Sequence, residues 1–203
     1  NASKNLMDSF ITLLLKQIKR FLAICANPTP GTQVGANINN SSTQQLGGVE
    51  ITSSRSIALT IGHSGSSKNS FLQINGTTIN SVPNVIIRNN SSSLITFANL
   101  TSGSSSTLGV VLGNSTENII NIDNTGGITI SSIISGASKN LTKAGSGSGT
   151  LTLSGVNTYS GNSTITAGSL ALSISGSIAN SPIITIGSGG TFDVTGLTTA
   201  LAL

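Results

Sequence analysis

The chain has 203 residues, of which 36% are hydrophobic and 7% are charged, and its formal net charge is +4. That length suffices for one domain with a continuous core, whereas disordered chains combine few apolar residues with high charge. The charge excess lies mainly before residue 28, and the nearly neutral remainder lacks the clustered cations of a nucleic-acid-binding surface.

The first segment predicts an amphipathic helix near residues 8–26. Asp8 or Ser9 can cap its start, and the prolines at positions 28 and 30 end it. Its three cations interrupt a stretch that is already too short to span a membrane. We therefore expect this helix to cover an apolar end of the fold. The predicted apolar stripe consists of Ile11, Leu14, Leu15, Ile18, Leu22 and Cys25.

Cys25 is the chain's single cysteine, which excludes an intramolecular disulfide and a cysteine zinc site. We interpret it as a small apolar residue of the helix. Residues 1–34 are thus predicted to form the helix and a proline/glycine linker.

From about residue 46 onward, short apolar alternations recur with no helical pattern between them. They fall into two interleaved series, such as LGVVLG near Val110 and LITFAN near Thr96. Steps within each series are roughly 19 to 27 residues, which is typical of solenoids. The sequence therefore predicts an all-β fold in which residues 35–203 form a parallel β-helix of about six coils, with two or three strands per coil.

The stretch LTKAGSGSGTLTLSGVNTYSGNSTITAGSL, residues 141–170, resembles the autotransporter-associated β-strand repeat. The shared pattern is a Thr-Leu-Thr-Leu strand, Ser-Gly, an Asn-Thr-Tyr corner and a glycine-flanked strand. This resemblance implies a right-handed parallel β-helix. It also implies the exported passenger of a bacterial outer-membrane autotransporter or of a giant surface protein. The chain carries one clear copy of the repeat, whereas the family often has many.

Some β-helix proteins cleave polysaccharides, so cooperating acid and base groups would indicate an enzyme. Such chemistry needs two carboxylates, or a carboxylate and a base, a few ångströms apart. Stacked coils can bring Glu117 or Asp123 near Lys139 or Lys143, but a charged ladder is more often structural. We predict no enzyme activity, no catalytic residue and no cofactor. The acidic residues are Asp8, Glu50, Glu117, Asp123 and Asp193.

Metal and phosphate sites find little support in the sequence. His63 is the sole histidine and stands in a glycine/serine turn, so no second histidine can share a metal. The GSGSG run at 145–149 leads into a strand and lacks a following lysine, unlike a phosphate-binding loop. We therefore predict turns at both places and no metal site.

Two Thr-x-Thr pairs, Thr150/Thr152 and Thr164/Thr166, are similar to those on ice-binding solenoids. These pairs do not recur in every coil, so the sequence alone gives this alternative little weight.

We expect an extracellular or cell-surface protein that serves as a non-enzymatic structural or adhesive module. Terminal coils of a solenoid expose apolar interior and unpaired strand groups. End-to-end association with other copies into a fibre is therefore expected, as is contact with cell-surface components. The alternatives are a fragment of a larger autotransporter adhesin and a polysaccharide-acting β-helix enzyme.

Overall fold

The computed structural model describes residues 22–25, 35–37, 43–53, 58–63, 69–99 and 107–201, with backbone alone over the first two ranges. Within these ranges the chain forms seventeen strands and no helix, which confirms the all-β prediction. In chain order they are β1 (Leu22–Cys25), β2 (Gly35–Asn37), β3 (Thr43–Leu46), β4 (Gly48–Ile51), β5 (Leu59–His63), β6 (Ser70–Ile74), β7 (Thr77–Ile79), β8 (Val82–Asn89), β9 (Ile95–Asn99), β10 (Leu108–Leu112), β11 (Glu117–Ile122), β12 (Ile128–Ile130), β13 (Ile133–Ser135), β14 (Asn140–Ala144), β15 (Leu151–Leu153), β16 (Ser163–Ile174) and β17 (Ile184–Leu197).

The strands stack into three parallel ladders. The first ladder contains β1, β4, β8, β11, β14 and the first halves of β16 and β17. The second contains β2, β5, β9, β12, β15 and the second halves of β16 and β17. The third contains β3, β6, β10 and β13, and a bridge between Val156 and Ser177 continues its direction.

Each coil passes through the third, the first and then the second ladder before the next coil begins. Long strands β16 and β17 run from the first ladder into the second and so join both into one curled 13-stranded sheet. This architecture is that of a β-helix-like solenoid. Its handedness stays a prediction.

The core lies between the ladders, where apolar side chains of successive coils stack on one another. In the second ladder the register aligns Ile95, Ile128, Leu151 and Leu170, and all four are almost fully buried. Within each strand, the residue next to the buried one faces outward, as strand alternation requires. Each such burial contributes about 1.5–3 kcal/mol, and no coil could bury these side chains without its neighbours.

The predicted helix is wrong over Leu22–Cys25, which form strand β1 and pair with Gly48–Ile51. A short apolar run is ambiguous between helix and strand by pattern alone. The backbone groups of β4 supply ladder partners to this run, and that pairing is available only in the strand conformation. The rest of the predicted helix, and therefore its capping role, lies outside the described residues. The division of the chain at residue 34 also stays a prediction.

The coil length is regular in the later part of the chain and larger in the earlier part. Along the second ladder, Leu59 pairs with Ile95 and Ile95 with Ile128, at steps of 36 and 33 residues. Later steps along the same ladder are 23, 19 and 22 residues. The predicted repeat thus holds for the later coils and is too short for the earlier ones. The two series inferred from sequence also have to be replaced by three ladders.

A hairpin accounts for part of the extra length in the second coil. Strand β7 pairs antiparallel with the start of β8. Asn80 and Ser81 connect them with φ values of 50° and 64°, the left-handed conformations that a tight two-residue hairpin loop requires. Ile79 is buried against the solenoid, so the hairpin packs onto the coil.

Candidate functional site

An ion-pair cluster on the outer face of the first ladder joins three successive coils. Arg88 of β8 donates from Nη1 to Glu50 Oε1 of β4 at 2.6 Å, and from Nε to Asp123 Oδ2 at 2.7 Å. The Arg88 side chain is 9% exposed, and the two carboxylate side chains are 15% and 19% exposed. The cluster is therefore largely shielded from water.

Stacking brings these residues together. Glu50 and Arg88 are register partners in adjacent strands, and Asp123 follows the end of β11, the next strand of the ladder. Burial disfavours the charged guanidinium, but the hydrogen bonds to Asp123 and Glu50 outweigh this effect and raise the pKa of Arg88. Arg88 thus stays charged and neutralises two carboxylates that would otherwise repel each other.

Asn121 extends the cluster along the ladder. It is the register partner of Arg88 in β11, is 5% exposed, and donates from Nδ2 to Asp123 Oδ2 at 3.3 Å. Its Oδ1 is buried and has no hydrogen-bond partner among the described residues. The amide therefore helps to hold the Asp123 carboxylate toward Arg88.

Lys143 of β14 lies inside the solenoid. Its register partners Ile120 and Ile165 are buried core residues, and Lys143 itself is fully buried. The Nζ atom turns to the corner after the strand and donates to Ala144 O at 2.8 Å and to Ala167 O at 3.1 Å. Burial lowers the pKa of Lys143 to about 8, and the charge of Asp123 partly opposes this shift.

The Asn-Thr-Tyr corner of the repeat ties neighbouring coils together. Asn157 Oδ1 accepts a hydrogen bond from the Ile134 backbone N–H at 2.9 Å, and its Nδ2 donates to Ser177 O at 3.0 Å. The buried Tyr159 hydroxyl lies 2.7 Å from Ser163 Oγ, and burial raises the pKa of Tyr159 to about 12. Asn157 therefore links the coil before it to the coil after it, and Tyr159 fills the interior between them.

The structure brings together some of the acidic residues considered above and leaves others apart. Glu50 and Asp123 share Arg88, and the charge of Asp123 acts on Lys143. Glu117 instead accepts a hydrogen bond from Thr142 Oγ1 at 2.7 Å. Asp193 accepts from Thr195 in its own strand, and these hydrogen bonds lower the pKa of Asp193. Asp8 and the side chain of His63 lie outside what the structure describes.

Arg88 was not singled out from the sequence. It lies 38 residues from Glu50 and 35 from Asp123, which is longer than the coil step inferred from the sequence. The available signal is the matching third position of Glu50 in GVEI and of Arg88 in IIRN, and it becomes visible once the larger step is known.

Neither a metal site nor a membrane helix is found where the structure describes the chain. No group of three histidine, cysteine or acidic residues is arranged to hold a metal ion there. The same residues include no helix long and apolar enough to span a membrane.

Comparison with known proteins gives one match. Residues 141–172 match the profile of the passenger-associated-transport-repeat family, which is linked to autotransporter passengers. The matched stretch runs from β14 through β15 to the second half of β16, so it covers the Asn-Thr-Tyr corner described above. No curated protein and no solved structure matches the chain.

Replacement of Arg88 tests the ion-pair cluster. We expect Arg88→Met to lower the free energy of unfolding by about 3 kcal/mol, the lower end for a broken buried pair, because both carboxylates keep some contact with water. The triple variant Glu50→Gln/Arg88→Met/Asp123→Asn should recover most of this loss, since no unpaired charge remains. Urea unfolding followed by circular dichroism measures both. A triple variant no more stable than Arg88→Met would contradict this account.

Lys143 should make stability depend on pH. Its pKa is about 8 in the folded protein and 10.5 in the unfolded chain, so between these values the unfolded state binds more protons. The free energy of unfolding should therefore rise as the pH increases through this window. Urea unfolding at a series of pH values should show this rise in the wild type and in Lys139→Met, but not in Lys143→Met. An unchanged slope in Lys143→Met would rule out Lys143 as the source.

Proposed function

We propose that this chain is a stretch of an autotransporter-type passenger that is exposed on a bacterial cell surface and acts there as a non-enzymatic structural or adhesive solenoid. The family match over residues 141–172 carries the proposal. It falls on the coils with the shortest and most regular steps, where the structure has continuous parallel ladders.

The bonding of the charged groups also supports a structural role. A polysaccharide-cleaving β-helix would need an acid and a base that are free to exchange protons with substrate. Glu50 and Asp123 are instead engaged by Arg88, and the ammonium group of Lys143 faces backbone carbonyls inside the coil. We therefore rank the enzyme alternative second.

A fold of this kind suits a chain that is exported. The described fold is held by backbone ladders and stacked aliphatic residues, and the single cysteine of the chain excludes an intramolecular disulfide. A solenoid can also gain stability coil by coil, because each coil contacts mainly its neighbours. A chain that emerges through a membrane as an extended strand can fold progressively in this way.

We expect antibodies raised against the purified chain to label intact cells of the source organism, since a passenger solenoid faces the medium. Immunofluorescence before and after permeabilisation measures this, with a cytoplasmic protein as the internal control. Protease treatment of intact cells should remove the signal. Labelling that appears only after permeabilisation would contradict the proposal.

End-to-end association is a further part of the proposed role. Strand β17 pairs with β16 on one side and has no strand on its other side among the described residues. Ile183 and Ile186 near its start are 54% and 51% exposed. Free strand edges with exposed apolar residues favour addition of another strand. That strand comes either from further coils of a longer chain or from another copy.

We expect the 203-residue chain to self-associate with increasing concentration, and Ile186→Lys to suppress this because a lysine on a strand edge opposes pairing. Size-exclusion chromatography and negative-stain microscopy report the association. Val156→Lys, an equally exposed apolar site away from β17, is the matched control. A strictly monomeric chain would refute self-assembly while leaving the surface-passenger role intact.

A further inference from the structure

A column of four threonines runs across the outer face of the second ladder. In each of four successive coils a threonine occupies the centre of an apolar-Thr-apolar triplet, and the register aligns the four without a shift. The flanking apolar residues of each triplet are buried, and the threonines are partly exposed. The column consists of Thr60, Thr96, Thr129 and Thr152, and it ends at Ala171 in the next coil.

The hydroxyl groups of this column have no hydrogen-bond partner in the part of the chain that the structure describes. None of the four forms a side-chain hydrogen bond with any residue that the structure describes. In contrast, the threonine hydroxyls on the outer face of the first ladder are partly engaged, because Thr142 binds Glu117 and Thr166 binds Lys143 O. The second ladder therefore presents unused donors and acceptors to its surroundings.

The described residues on either side of the column along each strand are uncharged. Strand alternation places the residues two before and two after each threonine on the same face. They are Ala58, Leu94, Gly127, Thr150, Gly62, Ala98, Ser131 and Ser154, and except for Leu94 they are small. No aromatic or charged side chain occurs among them. Over its described residues, this face thus lacks the rings on which sugars stack and the charges that would select an ionic ligand.

The spacing of the column is fixed by backbone geometry. Paired strands lie about 4.8 Å apart, so four threonines cover about 14 Å with one hydroxyl and one methyl group per step. Threonine is branched at Cβ and has few rotamers, which keeps both groups at defined positions. A rigid periodic array of this kind suits a rigid periodic partner. The repeat distance along an axis of hexagonal ice is close to this strand spacing.

We propose that the outer face of the second ladder binds ice, with the column Thr60, Thr96, Thr129 and Thr152 at the centre of the contact. The hydroxyl groups take positions in the water lattice, and the methyl groups sit between its oxygen atoms. Of the two Thr-x-Thr pairs in the sequence, Thr150/Thr152 lies on this face, whereas Thr164 belongs to the first ladder and Thr166 is bonded to Lys143 O. The proposal goes beyond the passenger role and does not depend on it.

The experiment measures how much of the purified 203-residue chain is incorporated into slowly growing ice, and whether it inhibits ice recrystallisation. The wild type should be enriched in the ice fraction relative to serum albumin. Thr96→Tyr/Thr129→Tyr keeps strand propensity but raises bulky rings above the face. It should reduce incorporation by about tenfold or more, the loss expected for central contact residues.

The matched control is Thr164→Tyr, which places the same ring on the outer face of the first ladder, where Thr164 is partly exposed. It should bind ice like the wild type. Circular dichroism verifies the fold of each variant. Thr96→Ser/Thr129→Ser is a milder pair that keeps the hydroxyl groups, removes the methyl groups and should still weaken incorporation.

Three results would overturn the proposal. A wild type that is excluded from ice as serum albumin is would do so directly. Equal incorporation of the wild type and both double variants would place any binding on another surface. Sedimentation with crystalline cellulose or chitin, lost in the double variants and without ice incorporation, would assign the face to a polysaccharide instead. None of these results bears on cell-surface labelling, so failure of this proposal and of the passenger role can be told apart.

Discussion

The structure depends on one constraint: no coil can bury its inward side chains or pair its strand edges without the coils beside it. Register between successive coils therefore decides most local features. It places apolar side chains of successive coils on one another in the interior, and it leaves little space at the corners. Gly126 and Gly149 occupy one such corner, where an added Cβ would lie 2.3 Å from Ser93 O and 2.4 Å from Gly126 O. Glycine is needed there because coil backbones approach within contact distance.

The same stacking explains how few charged residues the body carries and how they are used. Charges placed at register positions lie one strand spacing apart, so like charges would repel and single buried charges would lose hydration. Arg88 avoids the repulsion and offsets the lost hydration because it lies between Glu50 and Asp123 and bonds to both. Lys143 is the exception, since carbonyl oxygens rather than a carboxylate accept its hydrogen bonds. Because the ammonium group of Lys143 is buried, its protonation state affects the stability of the interior.

Much of the architecture could be predicted from the sequence because its strands are short runs in which apolar and polar residues alternate. Triplets such as Leu151-Thr152-Leu153 identify strands with one buried face, and the run 141–170 identifies the repeat. Strand pairing across the earlier coils could not be predicted, since Leu59 and Ile95 are separated by a connection of irregular length. Leu22–Cys25 illustrate a second limit. Their apolar run fits a helix locally, and a partner strand 26 residues away decides the outcome.

The candidate sites also differ in whether the sequence alone could reveal them. Asp123 and Lys143 could be suspected from the sequence because their coils follow the short repeat. The Arg88 cluster and the threonine column depend on register between long coils, so they emerge only from the ladders. The triplets around Thr60, Thr96 and Thr129 were present in the sequence, but their alignment required the correct step.

The direction of the ladder hydrogen bonds has a mechanical consequence. These bonds run between coils, along the axis of the solenoid, so a pull on that axis loads them in tension and opens them one coil at a time. A coil of about 22 residues adds about 5 Å to the folded rod but releases about 75 Å of extended chain when it detaches. The earlier, longer coils release more. A solenoid of this kind, if held at both ends, therefore lengthens in steps under load and dissipates work at each step.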